Sequence, residues 1–262
     1  YLVLSVVYLW ATLRAEAGKV SPVALRVVSV LALVCAVLVH SVAAWIFSVQ
    51  QAHDLWHTAL LAPWFVSSAL VCGTALVLVV VIALRRAGYI SLERRHLERL
   101  AKMLGAFLCV DLYFFGCDLL TEAFPGGEGA ETVAMLVSGP LAPFFWVEVV
   151  GCAAAAVVCF VPALRRNGLI VVASLLAIAG IFCKRVQLLV GGFQIPNLDY
   201  AFQANAMTVT DWEGGFEAAY QGLVYWPTPL ELGVALGVLG LGALMLCLGL
   251  KLLPLGSAKR PR

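Results

Sequence analysis

Residues 59–84 read ALLAPWFVSSALVCGTALVLVVVIAL and are followed at once by Arg85-Arg86. The run holds no charged side chain and exceeds the roughly 20 apolar residues a helix needs to cross a bilayer core about 30 Å thick. A stretch of this kind predicts a transmembrane helix, because a backbone in lipid must satisfy its own hydrogen bonds. The two arginines that close it predict which end stays in the cytoplasm.

Outward from this run the pattern repeats. Apolar segments at about 23–48, 101–122, 141–164, 168–190 and 230–254 are long enough to span, and a shorter one opens the chain at 1–12. Breakers fall at their edges: Pro22, Pro63, Pro125-Gly126-Gly127, Gly139-Pro140, Gly168, Pro227 and Pro229. The expected fold class is therefore all-α, a polytopic transmembrane helical bundle with six complete spans and a truncated seventh. Residues 1–255 read as a single integral membrane domain, and 256–262 as a basic cytoplasmic tail. Tyr1 stands inside an apolar run, so further N-terminal helices are expected to precede it. The longest connection, about 191–229, reads as a polar, aromatic loop.

Composition agrees. Of 262 residues, 63% are hydrophobic and 12% charged, against about a quarter charged in a soluble domain. The chain lacks the polar residues to coat a soluble globule, which excludes a soluble enzyme and a disordered segment. Its 17 Lys+Arg nearly balance 15 Asp+Glu, which excludes a nucleic-acid binder. Every basic residue except Lys184 and Arg185 falls on alternate loops. The positive-inside rule assigns those loops, and the C-terminus, to the cytoplasm. The opposite loops carry Glu122, Glu128, Glu131, Asp199, Asp211, Glu213, Glu217 and Glu231, so the outer face is expected to be acidic.

Ionisable groups inside a span are expensive and default to function. The spacing places His40, Asp111, Asp118, Glu148, Lys184 and Arg185 in the outer half of the bilayer, drawn from four helices. Asp111 is the deepest, and Asp118 lies on the same face at i+7. The bland alternatives are specific: Asp118 and Arg185 as interfacial residues reaching headgroups, Glu148 as a partner of Lys184 or Arg185, His40 as a hydrogen-bonded packing residue. Trp45, Trp56, Trp64 and Trp146 gather on the outer side, where an aromatic belt is expected anyway. The eight cysteines lie in apolar stretches with no CxxC pair, which speaks for packing and against a zinc or iron–sulfur site. No metal ligand set is expected.

This mixture suits a quinone headgroup, which needs proton donors and acceptors at both ring oxygens and an apolar slot for its tail. Candidate catalytic residues are His40, Asp111 and Glu148. Trp45, Trp56, Phe115, Asp118, Trp146, Lys184 and Arg185 are candidates for binding. A haem b would instead need paired axial ligands, and only His40 lies well within a span.

The run His40-Ser41-Val42-Ala43-Ala44-Trp45-Ile46-Phe47, then Trp56-His57-Thr58-Ala59 and Ala62-Pro63-Trp64-Phe65-Val66-Ser67-Ser68-Ala69-Leu70, forms one signature. Phe145-Trp146-Val147-Glu148, Lys184-Arg185 and Tyr225-Trp226-Pro227-Thr228-Pro229-Leu230-Glu231 complete it. Together these resemble the NrfD/polysulfide-reductase membrane-subunit family, and best its longer branch of roughly ten helices. That branch includes membrane subunits of sulfite-reductase-associated, hydrogenase and quinone-reductase complexes. The resemblance implies an NrfD-like subunit of two four-helix bundles in a bacterial or archaeal cytoplasmic membrane, without haem or iron–sulfur cluster of its own. It implies a menaquinone or ubiquinone site near the outer surface, with His40 and Glu148 at the quinone or on its proton path. It also implies a ferredoxin-like iron–sulfur partner on that face, with cytochrome or catalytic subunits beyond.

The expected function is a quinone-interacting subunit of a respiratory redox complex, in anaerobic or sulfur-linked metabolism. The alternatives are a proton- or ion-translocating subunit using Asp111, Asp118 and Glu148, a haem b anchor, and a purely structural anchor.

Overall fold

The computed structural model describes residues 1–16, 18–50, 56–139, 141–191 and 228–252. The expected loop at 191–229 lies outside them except at its edges, as does the tail at 256–262. Each apolar run becomes a helix: α1 Leu2–Glu16, α2 Pro22–Ser48, α3 Leu61–Arg86, α4 Arg94–Ala123, α6 Ala142–Phe160, α7 Asn167–Val186 and α8 Pro229–Leu252. A short α5, Glu128–Ser138, lies where the sequence suggested only a connecting loop. Among the described residues, six helices are long and apolar enough to cross a membrane, α7 counting together with a π-helical turn at Gln187–Gly191. The chain is a multi-pass membrane protein, and its described secondary structure is all helical.

Local chemistry sets the helix ends. Ser21 caps α2, accepting the Ala24 N–H at 3.2 Å, and Pro22 occupies the first turn where its missing N–H costs nothing. Between α4 and α5, Gly126 and Gly127 take φ of 78° and 65°, a region that favours glycine. α4 starts at Arg94 rather than near 101, since the Arg94–Glu98 pair at 2.9 Å and buried Leu97 extend it. α6 stops at Phe160 rather than 164, because Val161 precedes Pro162 and turns extended.

Four helices close a ring: α3 packs on α4, α4 on α6, α6 on α7, and α7 back on α3. α2 lies against α3, α1 against α2, and α5 bridges α4 and α6. The described residues thus hold one four-helix bundle of the two that the resemblance implied. In lipid there is little hydrophobic drive between helices, so close approach depends on small residues. Gly151, Cys152, Ala155 and Cys159 of α6 and Ala173, Ala177 and Gly180 of α7 are all buried, where these two helices pack together. A Cβ on Gly180 would stand 2.6 Å from the Cys152 sulfur, and one on Gly105 of α4 would stand 3.0 Å from the Cys159 Cβ.

The ring holds two apolar clusters. Toward the arginine-rich end, Val71, Leu78, Leu97, Leu104, Leu108, Cys159 and Ile181 belong to an aliphatic core. Toward the other end, Trp56, Trp64, Phe65, Phe115 and Phe145 belong to an aromatic one. Replacing Gly180 by Val should lower stability by about 1–3 kcal/mol through overpacking, seen as an earlier thermal transition in detergent. Gly73→Val, at an exposed position with open space around it, should shift the transition by far less.

Candidate functional site

Apart from Gly105, the buried residues of α4 run Leu97, Ala101, Leu104, Leu108, Asp111, Phe115, Asp118, a seam of alternating threes and fours that keeps one face toward the ring. α6 continues Phe145, Glu148, Cys152, Ala155, Cys159, and α7 continues Ile170, Ala173, Ala177, Ile181, Lys184. Each helix of the ring places a polar residue in its seam, and these meet as a layer between the two apolar clusters.

At the layer's base, Lys184 Nζ donates to Asp111 Oδ2 at 2.6 Å and Oδ1 at 2.8 Å. The Ser67 and Ser68 hydroxyls of α3 each donate to Asp111 Oδ1 at 2.8 Å. Asp111 is 1% exposed and Lys184 5%, so this is a fully buried pair whose carboxylate is held by three donor groups. Lys184 Nζ also stands 4.4 Å from the centre of the Trp64 ring, and the Arg185 guanidinium 3.6 Å from that of Phe65. These aromatic faces stabilise the cations where water is scarce.

Glu148, fully buried, behaves differently. Its Oε2 accepts the Gln187 amide at 2.9 Å, while Glu148 Oε1 and Gln187 Oε1 have no hydrogen-bond partner. Two further buried polar atoms nearby are unpartnered, Asp118 Oδ1 and the indole Nε1 of Trp64. All four residues line one cleft, shared with Phe65, Phe115, Leu119, Glu122, Thr132, Val133, Leu136, Lys184, Arg185 and Leu188. Its walls are aromatic, Trp64 stacking on Phe115 at 5.5 Å between ring centres and Phe115 meeting Phe145 at the same distance. Gln187 opens the π-helical turn, a feature frequent at functional sites. The Leu188 carbonyl of that turn accepts the Trp56 indole N–H at 2.7 Å.

The expected site residues therefore divide. Phe115, Asp118, Glu148, Lys184 and Arg185 line the cleft, Asp111 lies beneath it through Lys184, and Trp56 braces it from behind. His40, Trp45 and Trp146 are not among its lining residues. His40 is half-buried with Nδ1 2.9 Å from the Ala36 carbonyl of its own helix, and Trp45 is exposed. The exposed Trp146 donates to the Val137 carbonyl at 3.2 Å. Glu148 pairs with Gln187 rather than with Lys184 or Arg185. Sequence reading missed Gln187 and Thr132, quoted Ser67 and Ser68 only within the signature, and took Trp64 for an aromatic-belt residue. Gln187 sits three residues after Lys184 on one helix face, a spacing that could have found it; uncharged Ser and Thr carry no comparable signal. Among the described residues, no group of three His, Cys, Asp or Glu converges as a metal site.

Removing one member of a buried pair costs about 3–5 kcal/mol, because the other is left uncompensated. Lys184→Met should therefore destabilise strongly. The double variant Asp111→Asn, Lys184→Met should regain most of that loss, as a double-mutant cycle on denaturation in detergent would read.

Residues 1–197 match the family described as "Polysulphide reductase, NrfD". A curated relative from Halobacterium salinarum is 34% identical over 236 residues, covering 88% of this chain and 53% of its own length. That relative is provisionally named as a membrane subunit of a dimethyl sulfoxide reductase. The chain thus spans about half the length of the curated relative it matches. With most of its length matched on both counts, the chain belongs to the polysulphide reductase NrfD family.

Proposed function

We propose that the chain is the quinone-interacting membrane subunit of a respiratory reductase complex, and that the cleft lined by α3, α4, α5, α6 and α7 receives the headgroup. The observation that carries this reading is the set of unpartnered buried atoms between aromatic walls: acceptors on Glu148, Gln187 and Asp118, a donor on Trp64. Buried polar groups are ordinarily hydrogen-bonded. A flat ring with an oxygen at each end supplies partners of both kinds and fills an aromatic slot. In this reading Trp64 Nε1 donates to one ring oxygen, while Glu148 and Asp118 hold or release protons at the ring oxygens. Gln187 fixes the Glu148 carboxylate, and Lys184 and Arg185 offset the negative charge beside it. Asp111, with Ser67 and Ser68, orients Lys184 from below.

Menaquinone or ubiquinone would then exchange electrons with a ferredoxin-like iron–sulfur partner docked at the cleft end. Catalytic or cytochrome subunits would lie beyond, in anaerobic or sulfur-linked respiration. The relative's name supports a place in a reductase of that kind. The arginine-rich end would face the cytoplasm of a bacterial or archaeal inner membrane, as would the C-terminus. Proton translocation through the chain is less supported, since the aliphatic core of the described residues carries no matching polar chain.

Glu148→Gln and Gln187→Leu should each lower quinone-linked turnover of the assembled complex at least tenfold, the scale of a lost buried hydrogen bond. They should also weaken protection by a quinone analogue against a photoaffinity label. His40→Ala should keep turnover within about threefold. Full activity in both cleft variants, with loss in His40→Ala, would move the headgroup to α2. A Soret band from the isolated chain would point to the haem anchor instead.

A further inference from the structure

The arginine-rich end of the ring gathers more positive charge than it neutralises. α3 ends in Arg85 and Arg86, α4 begins with Arg94 and Arg95, and α7 is entered through Arg165 and Arg166. These ends meet. Arg94 Nη2 donates to the Arg165 carbonyl at 3.4 Å, and Arg86 Nη2 lies 3.9 Å from where a Cβ of Gly168 would stand. Among the described residues, the ion pair at this end is Arg94–Glu98. Arg165 is only 7% exposed, yet its Nε has no hydrogen-bond partner, and Arg85 Nη1 is also buried and unpartnered. α7 has no side-chain cap, so its first N–H groups add partial positive charge to the same place.

Guanidinium groups do not shed their protons, and crowding them with a helix N-terminus favours an anion. We infer that this end binds the phosphate of an anionic phospholipid, seated among Arg86, Arg94, Arg165 and the first turn of α7. A lipid fits better than a soluble anion because the site stands at the end of membrane-spanning helices, beside the exposed apolar side chains of Leu169 and Val172. Basic pockets between transmembrane helices hold acidic headgroups in this way. The site is separate from the cleft and does not depend on the quinone reading.

The test is native mass spectrometry of the full chain released from detergent, with phosphatidylglycerol or phosphatidylcholine added. Phosphatidylglycerol should be retained over phosphatidylcholine by about tenfold. Arg86→Gln and Arg165→Gln should each weaken it about fivefold, near the worth of one basic contact. Arg99→Gln, on the exposed face of α4, should change it less than twofold. Should Arg165→Gln fail to fold, Arg86→Gln reads the same contact from an exposed position. Equal retention of the two lipids, or equal loss with Arg99→Gln, would mean diffuse attraction and overturn the site. Full displacement by millimolar inorganic phosphate would assign it to a soluble anion and overturn the lipid.

Discussion

Everything in the ring is arranged around one buried ion pair. Two charges taken from water cost several kcal/mol each unless their geometry and remaining hydrogen bonds compensate. Asp111 and Lys184 meet that demand by drawing on three helices at once: α4 supplies the carboxylate, α7 the ammonium, and α3 two serine hydroxyls. The bond set fixes the rotation of each helix about its axis. It also requires the backbones to come close, which the small residues of α6 and α7 below it allow.

Above the pair the chemistry changes because the partners run out. Glu148 has one oxygen satisfied by a neutral amide and one unsatisfied, and Gln187 faces the same cleft with its own carbonyl unpartnered. A satisfied layer beneath and an unsatisfied one above make a rigid floor under a receptive cavity. Aromatic rings around the cleft shield the cations without competing for the free acceptors. The arginine end repeats the contrast between satisfied and unsatisfied groups at a different depth. There the surplus is of donors, and the ligand it suits is an anion.

Much of this was legible in the residues. The six apolar helices follow from hydropathy, because lipid penalises an unsatisfied backbone so heavily. The i, i+7 spacing on α4 already put Asp111 and Asp118 on one face. The α5 helix escaped notice because an 11-residue segment between glycine breakers is neither long nor apolar enough to announce itself. His40 stood out as a rare ionisable group in a span, yet its ring lies beside its own helix's Ala36 carbonyl.

The sequence by itself determined that these helices are long and apolar enough to cross a membrane, since that depends on composition and the solvent alone. Only the tertiary structure decided which inward residues meet. Whether Lys184 reaches Asp111 or Glu148 depends on the angular setting of four helices, a property of packed surfaces that no single helix carries. That choice left Glu148 and Gln187 with open acceptors and made a cleft of the layer above the pair.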